Sequence, residues 1–230
     1  GSIDFFSCFD HDCSFILNSL LNESTTAKCA FYEVNPEIIN LNRTNTEFLL
    51  FEDSYDHEHK SYSTVHSVPS KSLMHHKFCI FNNKTVLTGT WNPTLRGTYV
   101  NDNAILLIRS PVIAGLYAKE YANLRSRTSL VPSSSFSNHP RNGYQISLSN
   151  TSVDLCFSPS QDCESLLIDS LHTANESIDF LTFSFTSDAV GFALASKSKK
   201  VSVSGVLEAT GLSKYSEFKK LKDAGAKVYK

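Results

Sequence analysis

One local pattern occurs twice in this chain, and it limits the folds available to it. Cys8 and Cys13 flank the short loop Phe9-Asp10-His11-Asp12, and Cys156 and Cys163 flank a similar loop over residues 157–162. Each second cysteine opens a run with the 3.6-residue apolar spacing of an amphipathic helix, residues 14–21 in one copy and 164–171 in the other. Strand candidates follow in the same order, 28–32 and 47–51 in the first copy, 178–185 and 201–207 in the second. A repeated helix–strand unit of this kind predicts an α/β fold, with a mixed, mostly parallel sheet flanked by helices.

The copies differ in length. The first is placed at 1–125: it continues through a stretch at 73–90 to a strand at 104–108 and a helix around 113–124. Residues 126–152, rich in Ser, Pro and Asn and without periodicity, are expected to be a linker with one short strand near 144–148. The second copy, 153–230, reaches a helix over 214–225, with Gly225 near its C-cap, and a strand over 226–229. It is expected to be the opening half of a tandem repeat, truncated before anything equivalent to 73–90.

That stretch carries the chemistry. Residues 78–81 and 85–88 are β-prone runs separated by the turn-forming Asn82-Asn83-Lys84, which predicts a hairpin. Side chains alternate along a strand, so His75 and Lys77 share one face and His76 points to the other. Gly89 permits a tight turn, after which Thr90 and Asn92 present polar groups. An imidazole, an ammonium, a hydroxyl and an amide gathered in this way suit a phosphate. The cation and amide bind its oxygens, and the histidine attacks or donates a proton.

The segment resembles the phospholipase D superfamily, whose signature is H-x-K-x4-D-x6-G-[ST]-x-N. His75, Lys77, Gly89, Thr90 and Asn92 match at full spacing, and Asn82 stands where the family has aspartate. Residues 177–186 and 215–225 look like the opening half of a second family repeat. The resemblance implies a phosphodiesterase with His75 as nucleophile, or as acid/base partner, in a two-histidine mechanism through a phosphohistidine. It further implies that Lys77 and Asn92 bind the non-bridging oxygens, that Thr90 adds a hydrogen bond, and that Asp102 orients the ring of His75. No cofactor and no metal are expected. A family site takes one motif from each of two repeats or subunits, and this chain supplies one. Completion is therefore expected from a C-terminal repeat or from a second copy in a homodimer.

Other features carry weaker readings. Cys29 and Cys79 lie in apolar runs and are expected in the core. The pairs Cys8/Cys13 and Cys156/Cys163 read either as disulfides of an extracellular or extracytoplasmic protein or as buried thiols. His57-Glu58-His59, with Asp53, Asp56 and His66 nearby, matches no closed zinc pattern and is expected to be a solvated loop near the site. Glu52 and Glu208, each following a predicted strand, are expected to cap turns. Five Asn-x-Ser/Thr sequons begin at Asn22, Asn42, Asn83, Asn150 and Asn175, about what chance supplies in so Ser/Thr-rich a chain.

Composition narrows the function. At 41% hydrophobic and 19% charged the chain is globular, and no apolar run is long enough to span a bilayer. Three functions then compete: a metal-independent nuclease on DNA or RNA, a phospholipase or cardiolipin-type lipid hydrolase, and a degenerate binder of phosphate polymers. The compact motif without an apolar lid favours the nuclease, although a net charge of -2 does not advertise a polyanion partner.

Overall fold

Asp12 starts the first helix by accepting a hydrogen bond from the Phe15 N–H (2.9 Å), an N-cap that satisfies one of the orphan donors. A computed structural model of the chain describes residues 1–56, 58–70, 73–128 and 140–230. It divides into two units, Gly1–Asn138 with Ile146–Ser152, and His139–Gln145 with Val153–Lys230.

In the first unit the order is β1 (Ser2–Ser7), α1 (Cys13–Glu23), β2 (Ala27–Phe31), β3 (Thr46–Phe51), β4 (Val65–Val68), β5 (Lys77–Phe81), β6 (Thr85–Gly89), α2 (Leu95–Tyr99), β7 (Ala104–Arg109) and α3 (Pro111–Thr128). Seven strands form one sheet in the order β1-β7-β6-β5-β2-β3-β4. Its two faces follow the period of two. Cys29, Phe31, Phe48, Leu50, Cys79, Phe81 and Leu107 enclose the buried stripe Cys13, Leu17 and Leu21 of α1. Alternate residues such as Phe78 face α3, where the Phe78 and Tyr117 rings meet edge to face at 5.0 Å. Full burial of Leu17 and Leu21 contributes about 1.5–3 kcal/mol each.

The sheet corrects one expectation. It is mixed, but antiparallel at β1/β7, β7/β6, β6/β5 and β5/β2, and parallel only across β2, β3 and β4. The reason is local: β5 and β6 are joined by a tight turn, which only antiparallel partners can use, whereas parallel neighbours need longer crossovers. At that turn Asn82 and Asn83 both adopt φ 52°, as a mirror-image hairpin turn demands, and Lys84 N–H donates to the Phe81 carbonyl (3.0 Å).

Helix α3 continues to Thr128, so the segment expected as a linker from residue 126 begins in helix. Residues 129–139 of that linker lie outside the described residues. The short strand expected within it is β8 (Tyr144–Ser147), which with β9 (Ser152–Leu155) forms a two-stranded ribbon.

The second unit contains α4 (Cys163–Thr173), β10 (Ser177–Thr182), α5 (Asp188–Lys197), β11 (Ser202–Leu207), α6 (Phe218–Asp223) and β12 (Lys227–Tyr229). Asp162 caps α4 through the Ser165 N–H (3.1 Å). Strands β10, β11 and β12 are parallel, and their inner residues pack with Val190, Leu194 and Leu221.

All six cysteines are paired. Cys8–Cys13 and Cys156–Cys163 clasp their loops, with Cα separations of 5.3 and 5.7 Å. Cys29 and Cys79 are fully buried, as expected of core residues, but they are also bonded to each other across β2 and β5. They stand directly opposite in an antiparallel pair, which brings their Cα atoms to 4.0 Å.

Candidate active site

The site lies where β5 and β6 reach the edge of the sheet, on its α1 side. Lys77 is the first residue of β5, and the chain before it remains extended: Tyr32 N–H donates to the His76 carbonyl (2.8 Å), continuing the β2/β5 ladder by one residue. The alternation therefore runs back through the histidines. His75 and Lys77 fall on one side, and His76 falls on the other. There the Nε2 of His76 meets the nearly buried Glu120 carboxylate at 2.9 Å.

Tyr32 organises the first side. Its ring is edge-on to the His75 imidazole at 5.1 Å, and Nζ of Lys77 stands over its face at 5.6 Å. Phe51 stacks against the same ring at 5.7 Å. Lys77 Nζ also donates to the His75 carbonyl (3.1 Å), which ties the cation to the histidine's own backbone. Partial burial pushes the His75 pKa down, with the Lys77 and His76 charges acting in the same direction. Burial pushes Lys77 down to about 8, partly offset by the Glu33 carboxylate. A neutral imidazole and a cation loosely held at neutral pH suit attack on, and binding of, an anionic diester.

Thr90 and Asn92 follow Gly89, whose φ of 154° and whose close approach to the Ala104 carbonyl leave no room for a side chain. Thr90 Oγ1 donates to Asn103 Oδ1 (2.9 Å) and accepts from the Ala104 N–H (3.0 Å). Its only proton is thus committed to the protein. Asn103 in turn donates to the Gly97 carbonyl (2.9 Å), locking the loop against α2. Asn92 Oδ1 is sealed from solvent without a donor, and Asn92 is one of the residues that line the adjoining cavity. Asp102 is exposed in the bend before β7, and among the described residues no hydrogen bond joins it to His75.

A polar cavity of about 300 Å³ adjoins the motif, lined by Glu33, Asn35, Thr90, Asn92 and Arg96 among others. His75 and Lys77 stand outside this lining, and Glu33, which belongs to it, acts on the Lys77 charge. Neither Tyr32 nor the cavity wall is evident from sequence spacing. The one local signal is that Tyr32, Glu33 and Asn35 directly follow a predicted strand, where ligand-facing residues of α/β sheets collect.

The aspartate position of the signature, Asn82, lies at the far end of β5. Its Oδ1 accepts from Thr25 N–H (2.9 Å), Thr25 Oγ1 (2.9 Å) and Thr26 N–H (3.1 Å), anchoring the approach to β2. Glu208 caps a turn by accepting from Thr210 N–H, whereas Glu52 accepts from Ser70 N–H, 18 residues away and beyond β4.

His59 corrects the expectation of a solvated loop. It is only 4% exposed, with Nδ1 2.8 Å from Asp56 and Nε2 3.1 Å from the Val34 carbonyl. A polar neighbour at each ring nitrogen, one of them from 25 residues away, makes burial of an imidazole tolerable here. His57 lies outside the described residues. Among the described residues, no group of three His, Cys, Asp or Glu side chains is placed to hold a metal ion, and no helix is long and apolar enough to cross a membrane.

Residues 20–125 match the family model for the cardiolipin synthase, PLD-like domain. Among curated proteins no significant match is found. Phosphatidylserine synthase of Haemophilus influenzae superposes with a TM-score of 0.62 over 89% of this chain and 61% of its own, at 12% identity. Polyphosphate kinase from Porphyromonas gingivalis superposes with a TM-score of 0.55 over 90% of this chain and 35% of its own, at 11% identity. Nuc of Salmonella typhimurium, a phospholipase D family member, gives 0.49 over 56% of this chain and 96% of its own, at 15% identity. At such identities the likeness is one of fold. This chain spans less than two thirds of the synthase and of the kinase.

Proposed function

Given that residues 20–125 are a phospholipase-D-like domain, we propose that the protein is a phosphodiesterase with His75 as nucleophile, acting without a metal as a nuclease on DNA or RNA. The observation that carries this reading is the platform on which Tyr32 holds His75 and Lys77 together. A ring nitrogen of His75 attacks phosphorus, and a P–N bond forms as the P–O bond to the leaving alcohol breaks. An acid on the opposite side protonates the departing alkoxide. Water then attacks the phosphohistidine and releases the second product. Lys77 and the Nδ2 of Asn92 neutralise and hydrogen-bond the non-bridging oxygens.

The acid on the far side would come from a second histidine motif, in a C-terminal repeat or in a second copy of the chain. The repeat reading is supported by the parallel β10-β11-β12 set in the second unit, which has the arrangement of β2-β3-β4 in the first. In both units a disulfide-clasped loop precedes an Asp-capped helix. The three disulfides suit an extracytoplasmic setting. A lipid substrate is favoured by one feature, the exposed Leu95, Tyr99 and Val100 in and beside α2, next to the cavity.

An alkaline quench during turnover of bis-p-nitrophenyl phosphate tests the reading. A phosphoryl adduct on the peptide containing His75 is expected, and turnover with no adduct there, and no loss in His75→Ala, would overturn it.

A further inference from the structure

The cavity beside the motif has walls that a phosphate-binding role does not explain. Glu33 contributes a carboxylate close enough to act on Lys77, and an anion at that place repels any second phosphate. Asn35 is held by its backbone, whose N–H donates to the Pro93 carbonyl (2.8 Å), next to Asn92. Its Oδ1 is occupied by the Glu37 N–H (2.8 Å), which leaves its Nδ2 donors for the cavity. Arg96 of α2 also lines the cavity, and among the described residues neither Glu33 nor Arg96 forms an ion pair. A carboxylate acceptor, an amide donor and a guanidinium around about 300 Å³ leave room for a pentose or glycerol unit, and the wall is too polar for an acyl chain.

We infer that this cavity is the subsite for a vicinal diol esterified to the phosphate, with Glu33 accepting hydrogen bonds from its hydroxyls and Asn35 donating one. The assignment rests on the phosphodiester reading of His75, Lys77 and Asn92, which places the phosphate at the cavity mouth. A carboxylate recognises a ribose diol in the same way in dinucleotide sites. The 2′-hydroxyl is also the group that separates RNA from DNA. The shared chemistry has two sources, the 3′-terminal ribose of RNA, where both the 2′- and 3′-hydroxyls are free, and the glycerol of a lipid headgroup.

Calorimetric titration of the full chain separates them. The ligands are inorganic phosphate, methyl β-ribofuranoside 5-phosphate, its 2-deoxy counterpart, glycerol 3-phosphate and O-phosphoethanolamine. At least one diol ligand should bind roughly tenfold tighter than inorganic phosphate, as hydrogen bonds to a charged group provide. If it is the riboside, the 2-deoxy counterpart should lose that gain. The tighter diol ligand identifies the source. Glu33→Ala and Asn35→Ala should each remove the gain, read as the ratio of diol-ligand affinity to inorganic-phosphate affinity within the same variant. Glu33 is exposed, so its variant tests binding without a cost to folding. Equal binding of diol and non-diol ligands, survival of the gain in Glu33→Ala, or tighter binding of O-phosphoethanolamine overturns the inference, as does no binding by any ligand. His75→Ala should keep the diol gain while losing hydrolysis. Hydrolysis that is independent of His75, with the diol gain intact, sinks the catalytic reading and leaves the subsite standing.

Discussion

The ring of Tyr32 stands edge-on to the imidazole of His75, with centroids 5.1 Å apart, and its face carries the Lys77 ammonium at 5.6 Å. One side chain therefore sets both the orientation of the proposed nucleophile and the position of the cation proposed to bind its substrate. Tyr32→Leu should lower kcat/KM for a generic diester by roughly tenfold, the scale of a partly desolvated cation–π contact. Tyr32→Phe keeps the ring and should retain most of the activity. Steady-state kinetics on the two variants decides between a platform and a hydroxyl-dependent role.

His75→Ala should abolish diester hydrolysis, and His76→Ala should spare most of it. His76 faces α3, and its loss removes one partner of the nearly buried Glu120, so that variant should lose about 1–3 kcal/mol of stability. Urea unfolding run beside the activity assay separates the two effects. Equal loss of activity in two folded variants would show that the catalytic face is misassigned.

The pH profile follows from the two shifted groups. Burial lowers the His75 pKa, so the neutral nucleophile persists into more acid solution than a free histidine allows. Lys77, held down to about 8, loses its charge in the alkaline range, and kcat/KM should fall there. Lys77→Arg should move that limb to higher pH, since a guanidinium stays charged. The same shift has a stability consequence. The folded chain releases this proton near 8 and the unfolded chain near 10.5, so Lys77 makes stability rise with pH between those values, and its burial penalty is complete below them.

Asn82→Ala should destabilise by about 1–3 kcal/mol. It removes an acceptor shared by three donors from Thr25 and Thr26, and it places alanine at a positive φ. Asn82→Asp keeps the acceptor and should be at least as stable with activity unchanged, because the site is at the other end of β5. Thermal melts and hydrolysis of both variants check this.

The buried disulfide should matter most to stability. A link spanning 50 residues restricts the unfolded chain by roughly 4 kcal/mol, against roughly 2 for separations of 5 and 7. Cys29→Ala with Cys79→Val should therefore lower the melting temperature more than removal of either loop clasp. Peptide mapping of unreduced protein should recover all three pairs.

Turnover should follow assembly. One His-x-Lys supplies one histidine, and in-line displacement needs groups on both sides of phosphorus. Activity should appear either when the chain is extended by a C-terminal repeat or, with specific activity rising with protein concentration, when two copies pair across a twofold axis, and light scattering measured in parallel gives the mass of the active species. Full turnover by a strict monomer would mean that another group of this chain completes the site.

What the sequence determined by itself is local. The hairpin was legible because Asn82-Asn83 tolerates the positive φ its turn requires. The clasped helices were legible because the same apolar period follows each cysteine pair. The opposite facing of His75 and His76 follows from strand alternation alone. The tertiary structure decided everything that depends on register between distant segments. Cys29 meets Cys79 only because β2 and β5 pair antiparallel at that register. His59 is buried rather than solvated because Val34, 25 residues away, offers its carbonyl. Tyr32 and Glu33 reach the motif because β2 is the neighbour of β5, a strand order that no local propensity encodes. Short-range torsional and hydrogen-bonding preferences are written residue by residue, whereas strand order is settled by which arrangement of the whole sheet buries α1 and α3 on opposite faces.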